Sequence, residues 1–184
     1  MATSRKIYIE TTCFIEMAKH AIGGGDPNRS MDIWHLKKLL QASKDGEIEI
    51  LTATLTIAEC QHAEEPSTDG MPSDTVKTVF KNLLMSGQYV ALVQDTPLVA
   101  ERARNLRWVH GICMSGPDSV HAASALELEC EEFLSFDRVF HKKKQQFEDI
   151  AMYVRLPRNT KCLPDKYRQE DFFKGSEDEE TTAG

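Results

Sequence analysis

No apolar run in this sequence approaches the roughly 20 residues that a membrane span requires, so no membrane association is expected. The first residues, 1–6, carry no secretory hydrophobic region and lead straight into a strand-like run, which makes the cytoplasm the expected location. Cysteine is sparse and unpatterned. The five residues Cys13, Cys60, Cys113, Cys130 and Cys162 are odd in number and form no C-x-x-C pair. That argues against a disulfide framework and a zinc knuckle, and leaves most of them as small buried apolar side chains. No internal repeat is present. The glycine-rich stretch 23–28 (GGGDPN) lacks the lysine and the spacing of a phosphate cradle and reads as a turn. A basic excess is missing too: 22 Lys and Arg face 29 Asp and Glu, for a net charge of −7. Four of the acids, Glu177 to Glu180, are consecutive in a polar tail expected to be disordered. The net sign therefore does not exclude a nucleic-acid partner, because local patches matter more than the sum.

What is present is an ordinary globular composition, 41% hydrophobic and 28% charged over 184 residues, enough for one domain with a full core. Five short β-branched or aromatic runs predict strands at 6–10 (KIYIE), 47–51 (EIEIL), 89–93 (YVALV), 133–135 (FLS) and 152–156 (MYVRL). YVALV is apolar throughout, the pattern of a strand buried on both faces. Between them, periodicity and caps predict helices over 31–44, 54–64, 74–85, 95–109 and 115–131, with a polar loop at 66–73. Asp95 and Ser115 are the cap candidates, each followed by an early proline, Pro97 and Pro117. Strands alternating with helices imply an α/β fold whose parallel sheet is covered on both faces.

Four acids stand alone in apolar surroundings. Glu10 ends the first strand. Glu59 is the only charge from 50 to 61, Asp118 the only charge from 112 to 126, and Asp137 the only acid in FLSFDRVF. A lone buried carboxylate is costly unless something compensates it. Taken singly, each of these acids reads first as a solvated, capping or helix-dipole residue. The topology, however, brings all four to the carboxyl edge of the sheet, where open α/β folds bind ligands. Clustered carboxylates call for a shared cation, and hard oxygen ligands select Mg²⁺ or Mn²⁺.

The pieces IYIETT at 7–12, TLTIAEC at 54–60, GPDSVHAASAL at 116–126 and FLSFDRVF at 133–140, in this order, resemble the PIN-domain family. The resemblance spans about residues 6–156. It implies a three-layer α/β/α PIN-like fold, with a central mostly parallel sheet of four to five strands flanked by helices, over 1–158. Residues 159–184 are then a C-terminal extension with the acidic tail. It also implies a metal-dependent ribonuclease, similar to VapC toxins, with Glu10, Glu59, Asp118 and Asp137 as the catalytic acids. Glu10, Asp118 and Asp137 would be the ligands of Mg²⁺ or Mn²⁺, and Glu59 would hold a ligand water or act as base. Thr12 and Ser135 match the small hydroxyls that line such sites. The implied partners are an RNA substrate, an antitoxin protein and a second copy of the chain in a homodimer. For RNA phosphates, 141–144 (HKKK), with Lys142 and Lys143, offers one basic patch, and Arg102, Arg104 and Arg107 a second; each reads equally as a solvated basic face. His121, one helical turn from Asp118, suits a hydrogen bond to a ligand carboxylate and is left out of the metal set.

The family's first acid is usually Asp, and this chain has Glu10. That difference keeps open a PIN-like module that holds RNA or a protein without cutting. A di-iron carboxylate protein is the other rival, because Glu59-x-x-His62 and Asp118-x-x-His121 share its i, i+3 spacing. It requires a four-helix bundle, which the strand-like runs and Pro117 oppose.

Overall fold

The computed structural model describes residues 5–62 and 71–168. The acidic tail, most of the predicted loop at 66–73 and the end of the helix predicted over 54–64 lie outside the described residues. Five strands form one sheet: β1 (Arg5–Ile9), β2 (Ile48–Ala53), β3 (Ala91–Val93), β4 (Glu132–Leu134) and β5 (Tyr153–Arg155). Their order is β3-β2-β1-β4-β5 and every pairing is parallel, as the alternating pattern predicts. This sheet removes the di-iron alternative, which needs a helical bundle.

Side chains on successive strand residues point to opposite faces, and the core divides accordingly. Ile7, Ile9, Ile48, Ile50 and Leu134 face one layer, built from α1 (Thr11–Ala21) and α2 (Ser30–Lys44) through Phe14, Met17, Leu36 and Leu39. Tyr8, Leu51, Ala53 and Phe133 face the other. There they meet α5 (Pro97–Trp108), α6 (Gly116–Glu127), α7 (Arg138–Lys142) and α8 (Lys144–Glu148) through Leu106, Ala122, Ala125, Phe140 and Phe147. The result is three layers, α/β/α. Four of the five cysteines are buried in it, and burial pushes the thiols of Cys60, Cys130 and Cys162 up to about 12; Cys113 is exposed.

Several local expectations are corrected. YVALV is not buried on both faces. Its strand is shorter, starts at Ala91, and lies at the sheet edge with Ala91 exposed and Leu92 38% exposed. Apolarity alone does not distinguish an edge strand from a central one. The helix predicted over 54–64 is a single turn, α3 (Leu55–Glu59), continued as a 3-10 turn, Cys60–His62. The cap of α5 is Thr96, whose hydroxyl accepts the Val99 N–H at 3.3 Å; Asp95 instead accepts the Thr54 hydroxyl. Asp74–Leu84 forms α4 close to its predicted bounds, capped by Ser73.

Helix α6 stops at Glu127 rather than 131, because Glu129 turns left-handed (φ 55°) and the Cys130 N–H returns to the Ala125 carbonyl. The turn after α8 repeats this device with Ala151 (φ 63°) and the Met152 N–H on the Phe147 carbonyl. Glycine is the residue such turns favour. Ala151→Gly is therefore expected to stabilise the protein by about 0.5–1 kcal/mol, relief of the left-handed strain exceeding the glycine entropy cost. Urea unfolding with an unchanged m-value would show it; a loss of stability would refute it.

The chain beyond 158 packs back on the domain as far as it is described. Cys162 and Leu163 are buried in the α1–α2 layer, and Asp32 of α2, fully buried, takes the Arg158 guanidinium at 2.8 Å.

Candidate metal centre

The connection from β3 to β4 crosses over the sheet, so the strand order reverses beside β1. The crevice at such a switch point, beyond the carboxyl ends of the strands, is where α/β sheets bind ligands. Glu10 stands there. The residue follows β1 directly, its N–H continues the ladder to the Leu134 carbonyl at 3.0 Å, and it is 6% exposed. Its Oε2 accepts the Ser135 hydroxyl at 2.8 Å and the hydroxyl of Thr12. Burial pushes the Glu10 carboxyl above its ordinary value, against the opposing pull of those two hydroxyls.

Glu59 arrives from α3. Its Oε2 accepts the Thr11 hydroxyl at 2.5 Å and lies 2.8 Å from Nε2 of His121, on α6. His121 is 1% exposed, and its Nδ1 lies 2.8 Å from the Tyr8 hydroxyl. That hydroxyl accepts the Ala53 N–H at 2.8 Å, and the Tyr8 ring stacks on Phe133 at 5.2 Å. Glu10, Glu59 and His121 each present a ligand-type atom, all within 4.8 Å of one another.

Asp118 and Asp137 are not in that trio. Asp118 is half-buried in the first turn of α6, where Ser115, the predicted cap, accepts its N–H at 3.3 Å. Asp137 caps α7 through Oδ1, which accepts the Val139 N–H at 2.7 Å. Its own N–H reaches the Ser135 hydroxyl at 2.9 Å, so it neighbours Glu10 through one shared serine. Ser135 is fully buried; Thr12 is half-buried and also accepts the Phe136 N–H at 3.1 Å.

The basic residues separate. Lys142 is exposed at the end of α7 and Lys143 half-buried just after it. Their helix is tied to the site by His141, whose Nε2 lies 2.8 Å from the Ser135 carbonyl. On α5, Arg102 pairs with Glu127 at 2.8 Å, and Arg104 pairs with Glu101 at 2.9 Å while lying over the Trp108 ring, so two of that patch's three arginines have acidic partners of their own. Sequence reasoning missed Tyr8 and Thr11 and set His121 aside. The available signal was His121 one turn beyond Asp118, on the alanine-rich stripe that α6 lays against the sheet.

A donor set of two carboxylates and an imidazole, one carboxylate disfavoured in its charged form by burial, suits a divalent cation. A positive ion at Glu10 would offset the cost that burial imposes on the carboxylate. No helix among the described residues is long and apolar enough to cross a membrane.

No protein-family model matches the chain, and no curated protein matches it. Among solved structures, FitAcB from Neisseria gonorrhoeae is similar over 84% of this chain and 99% of that chain, at 16% identity and a TM-score of 0.47. At that level the likeness adds nothing to the reading of the site, which stands on its own residues.

Proposed function

We propose that this protein is a divalent-metal-dependent endoribonuclease of the PIN type, working as a VapC-like toxin in the cytoplasm. The observation that supports it best is the trio at the switch point: buried Glu10 with Glu59 and His121 within 4.8 Å. Glu10, Asp118 and Asp137 are the acidic ligands of this reading, for Mg²⁺ or Mn²⁺. When bound, such an ion polarises a phosphodiester and makes water a nucleophile near neutral pH. The chain's own residues do the rest. Thr12 and Ser135 hold Oε2 of Glu10 and so fix the direction of the whole carboxylate. Glu59, held by Thr11 and His121, is in this reading the base that takes a proton from the attacking water. Lys142 and Lys143 hold the RNA backbone, and the products carry a 5′-phosphate and a 3′-hydroxyl. An antitoxin protein covering the acidic crevice, and a homodimer, belong to the same reading.

The test is incubation of the purified protein with single-stranded RNA and Mn²⁺. Cleavage should occur, stop with EDTA and return with excess Mn²⁺. A Lys142→Gln, Lys143→Gln double variant is expected to raise KM about 10-fold with kcat little changed, since two phosphate contacts are lost. RNA that binds yet stays intact with Mn²⁺ would favour the non-cutting module that Glu10 keeps in view.

A further inference from the structure

We infer that His121 is itself a metal ligand, through Nε2, and that it turns this site toward Mn²⁺ over Mg²⁺. The inference rests on the metal-dependent reading above and adds to it a nitrogen donor that a purely acidic centre lacks.

The spacing is the first ground. Donors side by side on one small divalent ion, each about 2.1 Å from it, stand about 3 Å apart, and opposite donors about 4.2 Å apart. Nε2 of His121 and Oε2 of Glu59 are 2.8 Å apart, and the ligand-type atoms of Glu10, Glu59 and His121 all lie within 4.8 Å. His121 and the acid Glu10 therefore need adjustments of only about half an ångström to share one ion, by the same reckoning.

The second ground is how the ring is held. His121 is 1% exposed, its ring meets Tyr8 edge-on at 5.9 Å, and Nδ1 lies 2.8 Å from the tyrosine hydroxyl. The Tyr8 oxygen accepts the Ala53 N–H and has the Thr52 hydroxyl beside it; when Thr52 donates to Thr56 instead, at 2.7 Å, the tyrosine keeps one lone pair and one proton. It can thus serve the imidazole in either tautomer. With the ring proton on Nε2, His121 donates to Glu59 and the Tyr8 hydroxyl donates to Nδ1. With the proton on Nδ1, the ring donates to the Tyr8 oxygen and Nε2 presents a bare lone pair beside Oε2 of Glu59. The second arrangement is how metal-ligating histidines are held, with the far nitrogen donating to a fixed partner. A change of tautomer, without a change of rotamer, frees Nε2 of His121 for the ion, while Oε2 of Glu59 keeps the Thr11 hydroxyl.

Selectivity follows from donor type. Mg²⁺ favours oxygen and keeps its waters, whereas imidazole is a good ligand for transition ions.

The experiment is Mn²⁺ binding to the full chain followed by electron paramagnetic resonance, with pulsed detection of ¹⁴N coupling, beside Mg²⁺ binding by calorimetry. Wild type should bind Mn²⁺ with a directly coordinated nitrogen, and more tightly than Mg²⁺. His121→Gln keeps a hydrogen-bond donor for Glu59 but loses the ring. It should lose the nitrogen coupling and weaken Mn²⁺ about 10- to 100-fold, while Mg²⁺ changes by less than about threefold. If this variant fails to fold, the wild-type coupling decides alone. Mn²⁺ bound without nitrogen coupling would overturn the inference and leave the metal-dependent reading standing. Absence of Mn²⁺ binding to wild type would overturn both.

Discussion

Glu10→Gln should abolish metal-stimulated RNA cleavage and at the same time stabilise the metal-free protein at neutral pH. Both effects come from one carboxylate held in a place that disfavours its charge. Burial raises the Glu10 carboxyl above its ordinary value of 4.5, despite hydroxyls from Thr12 and Ser135. For a group raised in the folded state the sign is definite. At low pH it is neutral whether folded or not, and imposes no penalty. As pH climbs past the ordinary carboxylate range the unfolded chain ionises first, so stability falls until the folded-state value is passed. Wild type without metal should therefore lose stability with rising pH across that window, and the glutamine variant should lack this component. Cleavage should drop by on the order of 10³-fold or more, the scale on which loss of one electrostatic stabiliser acts. Asp118→Asn is the comparison. Asp118 is half-buried in a helix's first turn, so cleavage should fall similarly with no stability gain. Thermal unfolding across pH, with and without Mn²⁺, measures the first effect, and RNA cleavage the second. A glutamine variant that cuts RNA at the wild-type rate would remove Glu10 from the site.

Glu132→Ala is the second large effect, and it falls on stability. Glu132 opens β4 and is 3% exposed. Its carboxylate takes Nε of Arg155 at 2.7 Å, the Thr160 hydroxyl at 2.5 Å and the Lys161 N–H at 2.9 Å. One side chain thus joins β4, β5 and the segment that follows. Removing it strands a mostly buried guanidinium, a hydroxyl and a backbone N–H. Breaking a buried pair on one side costs about 3–5 kcal/mol, a large part of the roughly 5–15 kcal/mol by which such domains are stable. Urea unfolding should show this loss, and amide exchange should accelerate at Lys161 and Cys162. Glu132 lies at the amino end of β4 and the acidic crevice at its carboxyl end, so cleavage per folded molecule should be unchanged. A loss under about 1 kcal/mol would mean that the carboxylate's partners find substitutes in solvent.

Much of this architecture is legible in the sequence, because the signals that carry it are local. Ile7, Tyr8 and Ile9 alternate between two cores, and Ser115 with Pro117 marks the start of α6 where the structure has it. The failures are of a different kind. Whether YVALV is central or at the edge depends on which strands flank it, a tertiary fact. The single turn of α3 and the left-handed Glu129 likewise depend on what the chain meets next. The site divides in the same way. Glu10 is readable as a strand-end acid. The Glu59–His121 contact joins residues 62 apart, and the Tyr8–His121 contact joins residues 113 apart, with no periodicity linking either pair. A histidine among alanines on a buried helix looks apolar by context, and only its neighbours across the sheet reveal what it faces.

The switch point beside β1 also sets a timetable. Ser135, which steadies Glu10, is 125 residues away from it along the chain, and β4 follows β2 and β3 in the chain. Contacts of such separation form late, because closing the intervening loop must come first. During synthesis, the first strand leaves the ribosome with its acid still in water, where it costs nothing. The acidic centre is completed only when β4 docks beside β1.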